Sequence, residues 1–227
     1  MNLTLDIGNT AVKWAAFEGR TLVEHGYDLP TDKLTEAEAV LACASGTLPD
    51  TVYEIPLLSA DTALPIRLDY KTPSTLGADR VADACGAWSL YGGRPCLIVD
   101  AGTCITVDFL DAEGVYHGGA IMPGIQMNLQ ALHTFTAKLP LIDIKGIGKA
   151  PVLGRTTEES ILAGTLGATM LALGGFVALY KQKAPGLVVI LTGGDADRLT
   201  AAGVSGWELQ SDLTMIGLNE IILHNEK

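Results

Sequence analysis

"LTLDIGNTAVKWAAF" (Leu3–Phe17) and "CLIVDAGTCITVDFL" (Cys96–Leu110) write one phrase twice: an apolar strand, an Asp at its end, one residue, a Gly, a nearby Thr and a second strand. A single copy reads as an ordinary hairpin turn. Two copies in the same order, one near the start of each half, point to a duplicated unit whose loops do the same physical job. Gly8 and Gly102 let the backbone aim successive N–H groups inward and admit a phosphate closely. Asp6 and Asp100 bring carboxylates beside that phosphate, which is useful where a cation lies between them. Thr10 and Thr103 add hydroxyl donors.

Outward from these hairpins the two halves keep the same order of elements. Strand signals run over Leu3 to Asp6, Ala11 to Phe17 and Thr21 to His25, and the run "AVLACA" is strand or helix on periodicity alone. The stretch from Thr47 to Leu68, with prolines at 49, 56 and 65, reads as loop and short strand. Ser74 or Thr75 is placed to cap a helix from about Leu76 to Tyr91, with Val81, Ala84, Cys85 and Trp88 on one face. In the second half, "DAEG" turns the chain after the hairpin into a third strand, "VYHGGAIM". A helix after Pro123-Gly124, a long apolar helix over about 156 to 181, the strand "LVVILTGG" and a helix from Leu213 to His224 complete it. Strands then helices, twice, predict an α/β protein with domains over residues 1–93 and 94–227.

Composition narrows the partners. A formal net charge of -11 argues against nucleic acid and against anionic membrane surfaces, but not against a nucleotide held by backbone N–H groups. Cys43, Cys85, Cys96 and Cys104 form no C-x-x-C pair, and each reads as a buried free thiol. The N-terminus enters a strand without a basic region or cleavage site, so a reducing cytoplasm is expected. From Ile161 to Tyr180, twenty residues pass without a charge, long enough to span a bilayer. Four glycines, two threonines and the stripe Leu162, Leu166, Met170, Leu173 and Val177 favour a buried helix in a protein outside the membrane.

"LTGGDA" (Leu191–Ala196) is a third glycine turn after a strand, suited to close approach by a base or ribose. No G-x-x-x-x-G-K-[ST] occurs, and no G-x-G-x-x-G follows the first strand. Asp79 follows a glycine on the way into a helix, where a carboxylate is able to take a proton from an alcohol. The fork of Arg80 is able to pair with a substrate carboxylate or with Asp79 itself. The four histidines, 25, 117, 133 and 224, lack ligand spacing.

Two phosphate hairpins and a later glycine turn resemble the actin, hexokinase and Hsp70 superfamily. Within it, "DIGNT", "PSTLGADR", "VDAGTCITVD", "GGAIMPGIQMNLQALHTFTAKLP", "GRTTEES" and "LTGGDA" resemble, in order and near spacing, the type III pantothenate kinases over almost the whole chain. The resemblance implies duplicated actin-like (ribonuclease H-like) domains, each a mixed sheet with flanking helices. It implies ATP-dependent phosphorylation of pantothenate to 4'-phosphopantothenate, the first step of coenzyme A synthesis. The family's first phosphate loop falls on Asp6, Ile7, Gly8, Asn9, Thr10, Ala11, Val12 and Lys13, with Thr103 also facing ATP. Its catalytic base falls on Asp79, and its pantothenate contacts fall on Tyr70, Gly77, Ala78, Asp79, Arg80 and Thr157. Asp100 corresponds to the aspartate tied to a monovalent cation, potassium or ammonium, while Asp6 serves the magnesium-nucleotide. A homodimer is implied as well. The region from Arg20 to Pro65 reads as trimmed for the family. The rival readings are a nucleotide-binding regulatory accessory protein and a superfamily kinase for another small hydroxyl or carboxylate substrate.

Overall fold

The computed structural model describes residues 1–46, 55–144, 148–149 and 151–226. β1 (Asn2–Ile7), β2 (Val12–Glu18) and β3 (Thr21–Tyr27) form an antiparallel meander, with Asp6 opposite Lys13 and Ile7 opposite Val12. After the short helix α1 (Thr31–Glu36), the ambiguous "AVLACA" run is strand β4 (Ala39–Ala44), parallel to β1 with Cys43 beside Asp6. Burial decides its type: Leu41, Ala42 and Cys43 are buried in succession, as in a parallel strand covered on both faces. Part of the loop expected from Thr47 lies outside the described residues.

β5 (Arg67–Leu68) is a two-residue strand. The helix expected from Leu76 starts at Ala78 instead. Pro73–Thr75 forms a 3-10 turn and Gly77 stands at the N-cap of α2 (Ala78–Tyr91), so neither Ser74 nor Thr75 is its cap. The fixed φ of Pro73 favours the tight turn that takes up these residues. Next come β6 (Cys96–Ala101), β7 (Cys104–Leu110), β8 (Val115–Pro123) and α3 (Ile125–Thr134). The chain continues through α4 (Thr157–Leu162), a π-helical turn (Ala163–Gly167), α5 (Ala168–Lys183), β9 (Val188–Thr192), α6 (Ala196–Ala202), β10 (Glu208–Leu209) and α7 (Leu213–Asn225).

Sheet order carries the duplication. The first sheet runs β3-β2-β1-β4, and the second contains β8-β7-β6-β9 in the matching order, extended by β5 and β10 at its edges. This is the duplicated α/β architecture implied by the two hairpins. Packing divides the chain into one compact unit of Met1–Cys96, Asp108–Gly118 and Asp212–Lys227, and another of Leu97–Val107 and Gly119–Ser211. In the first unit α7 packs on α2 and β1. Helix backbones meet so closely there that a Cβ on Gly217 would collide with the Ala82 carbonyl. Thr214 donates a hydrogen bond to Asp83 Oδ1 at 2.7 Å, and Asn2 Nδ2 donates to Asn219 Oδ1 at 3.1 Å.

In the second unit, α4, the π turn and α5 form one 27-residue helix, Thr157–Lys183. Full burial is not what it shows: only 33% of its most apolar window is buried. Ile161, Thr165, Leu166, Thr169, Leu173 and Val177 are buried, while Leu171 is 71% exposed and Leu179 45%. The π turn inserts an extra residue and rotates the stripe, so that Leu162 and Met170 leave the buried face. Thr165 takes a buried place because its hydroxyl donates to the Ile161 carbonyl at 2.8 Å. By length and composition the helix is able to cross a membrane; its packed face is also that of a core helix.

Candidate active site

The first hairpin loop, Gly8 to Ala11, is closed by the Gly8 N–H donating to the Ala11 carbonyl at 3.1 Å, with Asn9, Thr10 and Ala11 exposed. The end of β4 turns beneath it. Ser45 and Gly46 both donate backbone N–H groups to the Ile7 carbonyl, at 3.1 and 3.0 Å. A Cβ at Gly46 would collide with the Gly8 carbonyl, so glycine permits this approach. Cys43 donates its thiol to Asp6 Oδ1 at 3.5 Å. Burial pushes the Asp6 carboxyl above its ordinary range, the Cys43 thiol and Lys13 pull it back, and Asp79 pushes it up again. The Asp79 charge thus reaches Asp6 within the first unit.

Asp79 lies in the first turn of α2. Its Oδ1 accepts the Arg80 backbone N–H at 2.8 Å, and a Cβ at Gly77 would stand 2.5 Å from the same oxygen. Gly77 therefore leaves room for the carboxylate. The Arg80 guanidinium points neither to Asp79 nor outward: it is buried against Asp108, with Nε 3.0 Å from Oδ2 and Nη2 2.5 Å from Oδ1. Burial would lower the Arg80 pKa, but the Asp108 hydrogen bonds and charge, with Tyr116 and Tyr70, raise it. Tyr116 donates its hydroxyl to Asp108 Oδ1 at 2.7 Å, and the Tyr70 ring lies 6.1 Å from that of Tyr116. The sequence reading gave Asp108 no role. Its signal was an acid in a strand between apolar neighbours, a place that demands a partner.

The second hairpin is tighter. Two residues, Gly102 and Thr103, separate β6 from β7, and Gly102 donates its N–H to the Cys104 carbonyl at 2.9 Å. Gly124, at the N-cap of α3, donates to the Thr103 carbonyl at 3.0 Å. The "LTGGDA" turn comes to the same place: Gly193, at φ +91°, would drive a Cβ into Asp100 Oδ1 and the Ala101 carbonyl, and Asp195 donates its N–H to Ala101 at 2.8 Å. Cys104 is exposed here, unlike Cys43, Cys85 and Cys96, because the short loop leaves it at the strand's open end. Thr157 also belongs to this unit, at the first turn of α4, whose N-cap Thr156 accepts the Glu159 N–H at 3.1 Å. Among the described residues no cluster of three or more His, Cys, Asp or Glu is able to hold a metal. A cation would rest on one carboxylate together with backbone or phosphate oxygens.

Paired hairpin sheets, each ending in a glycine-lined loop with an aspartate, make a duplicated actin-like α/β fold. An activator of 2-hydroxyisocaproyl-CoA dehydratase from Clostridium difficile with bound ADPNP shares this fold, with a TM-score of 0.56 at 14% identity over 99% of this chain and 96% of that one. A Campylobacter jejuni protein described under the Baf family of transcriptional activators superposes with a TM-score of 0.65 at 20% identity, over 99% of this chain and 98% of that one. The protein-family model for type III pantothenate kinase matches residues 50–178. A type III pantothenate kinase of Bacteroides fragilis is 37% identical over 99% of this chain and 98% of its own length. The chain belongs to the type III pantothenate kinase family.

Proposed function

We propose that this protein transfers the γ-phosphoryl group of ATP to the primary hydroxyl of pantothenate, giving 4'-phosphopantothenate at the start of coenzyme A synthesis. The observation that carries the reading is Asp79, at the head of α2 and within electrostatic range of Asp6 on the first hairpin. A primary alcohol is a weak nucleophile, and Asp79 takes its proton as the oxygen attacks in line. Asp6 through Lys13, with Thr103, hold the nucleotide, and the N–H groups of the exposed loop face its phosphates. Tyr70, Gly77, Ala78, Asp79, Arg80 and Thr157 hold pantothenate. Magnesium rests on Asp6 and a potassium or ammonium ion on Asp100, and these cations supply charge that offsets the phosphates.

The working protein is a homodimer in the cytoplasm. Leu171 on the open face of the long helix, Phe135 and Val152 (86% exposed each) and Leu153 (80%) supply apolar surface for a second copy. Free thiols, three buried and Cys104 exposed, suit a reducing compartment. The two sequence halves, meeting near residue 93, are the duplicated domains. ATP turnover with pantothenate, glucose and acetate in parallel, with magnesium and potassium present, tests the activity. Phosphopantothenate by mass spectrometry is the expected product. ATP binding without any phosphorylated product would make this a binding protein.

A further inference from the structure

Arg80 is 6% exposed, Asp108 1% and Tyr116 0%, so a full ion pair and a phenol share a site closed to water. Well-packed apolar side chains often serve stability as well as a buried ion pair does, so orientation is the natural reason to keep one. One Asp108 carboxylate accepts from Arg80 Nε, Arg80 Nη2 and the Tyr116 hydroxyl. That fixes the guanidinium plane from one edge. The Tyr70 side chain lies close enough to Arg80 to help raise its pKa, and the Arg80 backbone N–H holds Asp79 Oδ1. The Tyr70 ring is set by Tyr116 and by Gly118, where at φ +84° a Cβ would stand 3.0 Å from the ring edge. Residues from β5's end, α2, β7 and β8 thus meet around one acid, all within the first unit.

We infer that Asp108 is a positioning residue for the pantothenate pocket. It neutralises Arg80 and makes it a strut between Asp108 and Tyr70, rather than a free counterion for the substrate carboxylate. The inference rests on the pantothenate kinase reading and deepens it. Removing the Asp108 charge loosens the strut, so the Tyr70 ring loses its fixed neighbour and pantothenate loses a preformed wall, while the nucleotide loop is untouched.

The test is steady-state kinetics on the full chain for Asp108→Asn, Tyr70→Phe and the double variant, with thermal melting of each. Asp108→Asn is expected to raise KM for pantothenate about tenfold and to leave KM for ATP within about twofold. Tyr70→Phe raises KM for pantothenate in the wild-type background and adds little in Asp108→Asn, because the two changes break the same strut. Tyr116→Phe keeps the ring, removes one donor to Asp108, and gives a smaller rise in the same direction. Should Asp108→Asn fail to fold, the cycle between Tyr116→Phe and Tyr70→Phe reads the same coupling. A purely structural role would lower the melting temperature and the active fraction, with KM unchanged and the cycle additive; that result overturns the inference alone. A fall in KM for pantothenate in Asp108→Asn also overturns it, since the freed Arg80 would then be binding the carboxylate. A wild-type chain that makes no phosphopantothenate overturns both the inference and the reading beneath it.

Discussion

The two hairpins share a motif but are built differently. The first has a four-residue loop with three exposed residues, a lysine opposite its aspartate in the sheet and a thiol donating to that aspartate. In the second, two residues make the loop, β7 ("CITVDFL") carries no basic residue, and a positive-φ glycine from a distant strand end presses on the aspartate. A longer loop offers more N–H groups to wrap a phosphate, whereas a short, glycine-clamped loop holds a carboxylate and carbonyls at fixed spacing. Duplication therefore supplied two copies of a frame that local packing built differently, and under the proposed function the first serves the phosphates and the second a cation.

That contrast is open to experiment. The largest effect belongs to the first unit: Asp79→Asn is expected to fold, bind pantothenate and lose about 10² to 10⁴ in turnover, the usual worth of a general base. A loss below about tenfold would remove Asp79 from that role. Next come the hairpin aspartates themselves. Asp6→Asn is expected to raise KM for ATP by about tenfold, roughly 1.4 kcal/mol, and to keep the wild-type ratio of rates in potassium and sodium. Asp100→Asn is expected to flatten that ratio. Equal wild-type rates in the two salts at constant ionic strength would erase the proposed division of labour.

Smaller effects probe the clamps. Gly193→Ala combines steric overlap with a left-handed φ and is expected to cost about 1–3 kcal/mol in stability. Gly46→Ala meets overlap without that strain and should cost less, showing mainly as weaker ATP use. Chemical denaturation of both variants orders them, and a larger loss in Gly46→Ala would reverse the assigned rigidity of the two loops.

The smallest expected effect is a pH dependence at the edge of the proposed substrate corner. His117 Nε2 lies 2.7 Å from Asp111 Oδ2, and Nδ1 lies 3.2 Å from Asp69 Oδ2, next to Tyr70. The Asp111 hydrogen bond, with help from Asp69, raises the His117 pKa above 6.5. A raised histidine pKa stabilises the fold fully below the unfolded value, and this contribution disappears as pH rises through the folded value. The melting difference between wild type and His117→Gln should therefore be larger at pH 6 than at pH 8. An equal difference at both would show that the charge does not matter there.

Much of this is legible in the sequence. The strand-Asp-x-Gly phrase places both hairpins because the alternation of β-strands and the freedom of glycine are local properties. β1 through β3 and β6 through β8 lie within a residue or two of their expected positions for that reason. "AVLACA" stayed undecided because six apolar residues carry no period, and only its place between β1 and the rest of the core makes it a strand. The long helix was found, and Leu166, Leu173 and Val177 of its expected stripe are buried, but Leu162 and Met170 are only half-buried, because a π turn is invisible to a count of 3.6 residues. The Arg80 fork was legible as a group seeking a carboxylate, yet its buried partner was not, since Asp108 lies 28 residues away.

The sequence by itself determined the duplicated α/β frame, the two glycine hairpins and the motif order that places the chain in its family. These depend on residues close together in the chain, whose backbone preferences act without help from elsewhere. Tertiary structure alone decided that Cys43 serves Asp6, that Gly193 presses on Asp100 and that Arg80 spends its charge on Asp108. Each of those pairings joins segments brought together only by folding, where burial forces a polar or charged group to take whichever partner the core provides.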